Sequence, residues 1–417
     1  MLFPLASTIG FAGLPAWRAA ICVLVFISFA YYIVAIVAAA RFFLRARHKQ
    51  LGTFAPPISV LKAVRGVDFA SYENFKSFCL QDYPKYEILF CVNDLNDEAV
   101  PLIRRIIEEF PERSIRLLSG APQPGSNRKV NNLSLLVREA RYALLVQSDG
   151  DVRVGPNYLR EMAAPFESCE TGVASCLYRG ITQNNLWAHI EALGAATDFS
   201  AGVLVAGWNG EVTFALGASV ATTKSWLAKI GGYEALASVL ADDYEIGNRV
   251  TGAGGRVIVS REIVETMYPA MTFGDFWQHQ LRWARTVRLC RPASYLGLLV
   301  THGLFWAMLG AAASGSAKAG AFFFVAYFVL RLVLAWTIGV WGMNDETVRK
   351  KWWLVPLRDA LHFGVWVASF FSKRIVWGGT EFRLKANGDM VALAATTAEK
   401  ENKKKRPQVD GAQSRLL

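Results

Sequence analysis

The chain has 417 residues, 53% of them hydrophobic and 19% charged, with a net charge of +11. Its mean hydropathy of +0.25 is high for a soluble protein, and the apolar excess sits at the two ends, which argues against an ordinary soluble domain and for membrane segments around a soluble core. The six cysteines are scattered, with no Cys-x-x-Cys pair and no Cys/His zinc spacing, which argues against a disulfide scaffold or zinc module and fits a reducing compartment.

Ile21 to Ala40 carries no charge and is about 20 residues long, enough to cross a bilayer as a helix. Arg18 precedes it, and Arg41, Arg45, Arg47, His48 and Lys49 follow. The positive-inside rule therefore puts the amino terminus outside and residue 41 onward in the cytoplasm. Ala38-Ala39-Ala40 would suit a cleaved signal peptide, but the basic flank is on the wrong side for one. Basic residues beside an apolar span fit anionic lipid, and we assign no nucleic acid partner.

Residues 55–272 read as alternating strands and helices. Strands are expected at 58–61, 88–92, 115–118 and 142–146, and helices at 72–80, 100–110 and 131–140. This alternation predicts a Rossmann-like, mostly parallel α/β sheet covered on both faces. Two strands run on to Asp94 and Asp149, which places both at the carboxyl edge where open α/β sheets bind ligands. A helix over 276–289 carries His279 and Arg282 on one face.

Beyond residue 291 three apolar runs follow, at 295–313, 319–341 with Arg331, and 354–371 with Arg358, Asp359 and His362. Charge inside a span is costly and faces protein or a cavity. Arg358 and His362 are four apart and share a helix face. Two crossings, with 354–371 not spanning, would keep the basic tail at Lys403, Lys404, Lys405 and Arg406 in the cytoplasm. The layout is an anchor at 16–41, a catalytic domain at 55–272, an interfacial helix at 273–291, membrane segments at 292–378 and a disordered basic tail at 386–417.

Asp149-Gly150-Asp151 is the strongest local signal. Two carboxylates after a strand can hold Mg²⁺ or Mn²⁺ against a diphosphate, although Asp-Gly is also a common turn dipeptide. Asp94 can accept hydrogen bonds from a nucleobase or ribose. Lys129, at the start of a helix, can meet phosphate as a point charge or be an exposed basic cap. Asp242 and Asp243 open a helix, where the dipole favours acidic residues; Asp243 can equally serve as a general base. His279-Gln280-Leu281-Arg282-Trp283 offers a diphosphate grip in Arg282 and an apolar wall in Trp283. The same helix can lie on the membrane surface with Arg285, Arg288 and Arg291 on headgroups.

In this order the clusters resemble inverting glycosyltransferases of the GT-A fold, family 2-like, and more narrowly family 21, the ceramide glucosyltransferases, together with related bacterial hopanoid glycosyltransferases. The stretches that carry the resemblance are Asp82-Tyr83-Pro84-Lys85-Tyr86-Glu87, Asn127 through Leu133, Asp149 through Val154, Ala241-Asp242-Asp243-Tyr244 and Arg282-Trp283, within residues 16–385. The resemblance implies nucleotide binding at Asp94, metal and diphosphate at Asp149, a catalytic base at Asp243 and donor contacts at Arg282 and Trp283. It implies a UDP-sugar donor, a ceramide or hopanoid acceptor and the inner membrane of a bacterium, and leaves the oligomeric state open. Three positions depart from the pattern. His279 stands where Gln or Arg is usual, Asp151 stands where the animal enzymes have glycine, and Asp198-Phe199-Ser200 replaces a His-Pro pair after Glu191. Residues 178–216, with Trp187 and Trp208, are expected to form an acceptor lid beside the membrane. A processive polysaccharide synthase would need more spans to build a pore, and an inactive lectin or scaffold would not need the complete acidic set.

Overall fold

The computed structural model describes residues 15–48, 52–208, 211–377, 380–385 and 388–393. Its centre is a nine-stranded mixed sheet in the order β3-β2-β1-β4-β8-β6-β9-β5, with β7 paired to β9. The strands are β1 Ile58–Ala63, β2 Tyr86–Val92, β3 Ser114–Ser119, β4 Leu144–Ser148, β5 Val152–Arg153, β6 Thr171–Thr182, β7 Glu211–Val212, β8 Ser219–Thr223 and β9 Arg256–Tyr268.

The first four strands are the expected ones, and they are parallel. Ile58 of β1 lies opposite Tyr86 of β2 on one side and Leu144 of β4 on the other. Their side chains alternate between two cores. Ile58, Val60, Ile88, Phe90 and Val146 pack with Phe75, Phe78, Ile103 and Ile106 from the helices Ser71–Cys79 and Ala99–Glu109. Leu61, Leu89, Cys91 and Leu145 pack with Val130, Leu133 and Leu136 from the helix Arg128–Glu139 on the other face. This is the doubly covered sheet that the apolar strand runs predict. The chain order reverses between β1 and β4, so the crevice beyond their carboxyl ends is the topological switch point, where open α/β sheets bind ligands.

Two helices, Ala16–Arg47 and Ala317–Gly342, are long and apolar enough to cross a membrane. They display Phe26, Ile27, Ile33 and Val34, and Phe322, Val325, Val329 and Val333, to the outside, which suits lipid. The run expected as one segment at 295–313 is a bent pair instead, Pro292–Thr301 and Gly303–Ser314, meeting at 57°. The Tyr32 hydroxyl fills the break: it donates to Thr301 O at 3.0 Å and accepts from Gly303 N at 3.1 Å, satisfying backbone groups that the bend leaves free. The third run holds the helix Val355–Ala368.

Arg331 faces protein, as its position in an apolar helix requires. Its guanidinium reaches Asp359 with Nε at 2.9 Å, Thr197 at 3.0 Å, and Asp198. Arg358 Nε lies 3.1 Å and His362 Nδ1 3.8 Å from the same Asp198, so the shared helix face points at one carboxylate. Asp198 belongs to the helical segment Leu186–Ala206, which lies within the stretch 178–216 expected as an acceptor lid. That segment shares one core with the membrane helices, where Ile190, Leu193, Val203 and Leu204 meet Phe29, Tyr32, Phe323 and Tyr327. Trp187 stacks on Phe276, and Trp208 lies under the Arg41 guanidinium.

The expectation of disorder from 386 onward fails at its start. Met390–Ala392 forms β12, antiparallel to β11 (Thr380–Leu384), which pairs with β10 (Arg374–Trp377). Apolar Phe382, Leu384 and Met390 close a small core there. Residues 394–417, with the basic run at 403–406, lie outside the described residues, as does Lys49.

Candidate active site

Asp149 follows β4 directly and heads a turn that its neighbours hold from three sides. Its N–H donates to Ala218 O at 3.2 Å, its carbonyl accepts from Lys62 Nζ at 2.7 Å, and Met267 N donates to Asp151 O at 3.0 Å. The Asp-Gly-Asp turn is therefore fixed at its backbone, leaving the carboxylates to face the crevice. Lys62 is 0% exposed, lies over the Phe78 ring at 3.8 Å and comes from the carboxyl end of β1. Burial lowers its ammonium to about 7, against the pull of Asp151 and Asp149. Sequence reading passed over Lys62; the signal was a lysine inside an otherwise apolar strand.

Lys129 Nζ lies 2.7 Å from Asp149 Oδ1 and 3.8 Å from Asp242 Oδ2. Burial works against its charge, but Asp149 and Asp242 outweigh burial and hold it above the ordinary lysine range. The exposed-cap alternative for Lys129 does not describe this geometry. Its helix is capped by Asn127, fully buried, whose Oδ1 accepts from Val130 N at 3.2 Å and whose Nδ2 donates to Val239 O at 2.8 Å. One side chain thus joins the loop before Lys129 to the loop before Asp243. A Cβ on Gly125 would sit 2.1 Å from Ala237 O, so only glycine lets these two loops touch.

Asp242 and Asp243 stand in the first turn of the helix Asp242–Gly252. Asp242 is buried, at 5% exposure, and Asp243 is half-buried. Burial, then the charge of Asp242, pushes the Asp243 carboxyl up to about 6, with Lys129 opposing. Asp151 is pushed up to about 7 by burial and then by Asp149 and Asp68. Tyr178 marks the convergence: burial, then Asp243, Glu191, Asp151 and Asp149 in turn, holds its hydroxyl protonated.

The helix Phe273–Cys290 closes the other side. Burial lowers the Arg282 guanidinium, with Glu191, Asp243 and Asp149 pulling it back. His279 Nδ1 lies 2.9 Å from Glu191 Oε1, and Gln280 Nε2 donates to the same oxygen at 2.7 Å. Trp283 meets Phe199 edge-on at 5.9 Å, and Phe199 lies 5.3 Å from Tyr178, which makes an aromatic wall. The arginines that a membrane-surface helix would give to headgroups have protein partners: Arg285 donates to Arg374 O, Arg288 to Ser372 O and Arg291 to the Tyr244 hydroxyl.

Asp94 is brought to the same edge but not into the cluster. β2 and β4 flank β1 in parallel, so Asp94 and Asp149 stand roughly 10 Å apart in strand spacing. The exposed Asp94 carboxylate accepts from Asn96 N at 2.9 Å and Asn96 Nδ2 at 3.0 Å, within its own loop. Among the described residues no three His, Cys, Asp or Glu side chains are arranged to hold a metal by themselves. Asp149 and Asp151 fit a different arrangement. Two carboxylates spaced by one residue in a turn held at its backbone suit a divalent ion that takes its remaining oxygens from a diphosphate.

A mixed sheet whose parallel half carries an acidic turn at its switch point, with a second acidic pair on a helix beside it, has the layout of the GT-A fold of glycosyltransferases. A mannosyltransferase from Pyrobaculum calidifontis, solved in complex with GDP-Man and Mn²⁺, shares the fold at a TM-score of 0.50 over 84% of this chain and 99% of that one, with 17% identity. The profile of glycosyl transferase family 21 matches residues 20–390, and the chain belongs to that family. Ceramide glucosyltransferase 1 of Caenorhabditis elegans is 26% identical over 375 residues, spanning 86% of this chain and 78% of the relative. Ceramide glucosyltransferase 3 of the same nematode is 27% identical over 264 residues, 62% of this chain and 56% of that protein.

Proposed function

We propose that this glycosyltransferase moves one hexose from a UDP-sugar to a lipid hydroxyl with inversion, glucose to ceramide being the favoured pair. The observation that carries the reading is the half-buried Asp243, its carboxyl pushed up to about 6, facing the Lys129–Asp149 pair at the sheet edge. The ceramide glucosyltransferases among its relatives and the membrane helices packed against Leu186–Ala206 support a lipid acceptor.

Asp243 accepts the proton of the acceptor hydroxyl as that oxygen attacks the anomeric carbon. The bond from that carbon to the diphosphate breaks on the opposite face, UDP leaves with the electron pair, and the configuration inverts. Lys129 and Arg282 meet the charge gathering on UDP. Glu191 orients the His279 ring through Nδ1, on the helix face that also carries Arg282. Asp94 holds the uridine at the outer edge, and Trp283 walls the sugar. Asp149 and Asp151 would hold a Mg²⁺ or Mn²⁺ ion, which would add to the neutralisation of the leaving group. The basic residues after the first helix support a catalytic domain on the cytoplasmic side.

Hopanoid is the second acceptor, favoured by Asp198, which stands where the animal pattern has His-Pro and which is turned to Arg331 and Arg358. The test is incubation of the detergent-purified enzyme with UDP-glucose or UDP-N-acetylglucosamine and either lipid, followed by mass spectrometry and proton NMR of the product. A β-glucosylceramide from the α-linked donor is expected. An α-linked product would refute inversion, and a hopanoid product alone would replace the acceptor.

A further inference from the structure

The hairpin β10–β12 touches three separate pieces of the candidate site. Ser126, in the loop that leads to Lys129, donates from Oγ to Met390 O at 3.1 Å. In the loop that leads to Asp243, Ser238 O accepts from Met390 N at 2.8 Å, Leu240 N donates to Gly388 O at 3.4 Å, and Val239 bridges Asp389. From the helix that carries His279 and Arg282, Arg285 Nη1 donates to Arg374 O at 2.5 Å and Arg288 Nη2 to Ser372 O at 3.2 Å. Leu240 and Leu289 pack on Ile375, Phe382, Leu384 and Met390. Between the hairpin and the helix Asp242–Gly252 lies a cavity of about 180 Å³, lined by Tyr244, Glu245, Thr286 and Leu384 among others. The hairpin therefore holds these pieces by bonds at its rim as well as by its own small core.

We propose that this carboxyl-terminal hairpin is a positioning clasp for the donor. It keeps the Lys129 loop, the Asp243 loop and the Arg282 helix in one mutual register, far apart as they are in the chain. Fixed charges bind a diphosphate well only when they are held in place before it arrives, and a displacement of about 1 Å forfeits much of the gain. Met390, Arg285 and Arg288 act through the residues they hold and meet no substrate themselves. The inference rests on the reading that Lys129 and Arg282 face the donor diphosphate.

Two variants of the full-length enzyme in detergent test it, with UDP plus MnCl₂ as the probe. Met390→Pro removes the N–H that bonds Ser238, which points away from β11, and also the Met390 side chain that packs in the hairpin's core. The double variant Arg285→Met/Arg288→Met unfastens the other end. In each, UDP affinity by calorimetry and the donor KM should weaken about tenfold, equivalent to about 1.4 kcal/mol. The acceptor KM should move less than about twofold, a split that general loosening of the fold would not give. UDP affinity within about twofold of wild type in folded protein would overturn the clasp. Should Met390→Pro fail to fold, the arginine pair decides alone. Absence of UDP binding in the wild-type enzyme would overturn the donor reading and the clasp with it, whereas selective loss in the variants supports both.

Discussion

Gly217 and Asp243 set the scale at which the chemistry is decided. A Cβ on Gly217 would sit 2.7 Å from Asp243 Oδ2, so the carboxylate occupies space that only glycine leaves. Gly217→Ala is expected to push that carboxylate off its position and lower kcat by ~10²-fold, with donor KM little changed; steady-state kinetics with both substrates varied would show it. Asp243 must be ionised to accept a proton, and its carboxyl is pushed up to about 6. Below that pH the base is protonated and idle, so kcat/KM should climb with pH through about 6 and level above it. A profile flat between pH 5 and 8 would argue against Asp243 as the base. Asp149, Asp243 and Lys129 were legible in the sequence because each lies at the end of a strand or the start of a helix, where local pattern is readable. Lys62 was not, because its meaning depends on burial against Phe78 and the Asp149 carbonyl, which linear order does not contain.

At the level of elements, the parallel half of the sheet could be read because β1, β2 and β4 are buried on both faces and appear as short, mainly apolar runs. The mixed half could not. β6 and β9 carry Arg179 and Glu265, paired at 2.7 Å across the two strands, so their apolar residues never form a continuous run. The hairpin at 374–392 was hidden for a similar reason, its short strands being interrupted by Arg and Glu. The loop junction at Gly125 makes an element-scale prediction. Gly125→Ala forces the backbone of Ala237 to move, and with it Asn127 and the start of the Lys129 helix. Transfer should fall sharply and the melting midpoint drop, while Asn127→Ala loses both the cap and the bond to Val239 O and should cost about 2–3 kcal/mol. Thermal unfolding of the two variants side by side would separate close contact from capping.

Across the whole molecule, the catalytic segment Leu186–Ala206 and the membrane helices share one core, with four charges balanced inside it. Asp198 and Asp359 face Arg331 and Arg358. The sequence announced three of these partners by placing Arg331, Arg358 and Asp359 in apolar runs, but it gave no sign that Asp198 would come from the soluble domain. Asp198→Asn leaves two guanidinium groups on one carboxylate, an uncompensated buried charge that should destabilise the enzyme by about 3–5 kcal/mol. Detergent unfolding curves would show the loss, and an unchanged midpoint would mean the cluster is open to water.

The claim on which the rest depends is that Asp243 acts on the acceptor and not on the donor. Asp243→Asn in the purified enzyme should bind UDP within about threefold of wild type while transfer to lipid falls by at least ~10³-fold, measured by calorimetry and by product mass spectrometry on the same preparation. Equal loss of binding and transfer, or transfer that survives the substitution, would contradict it.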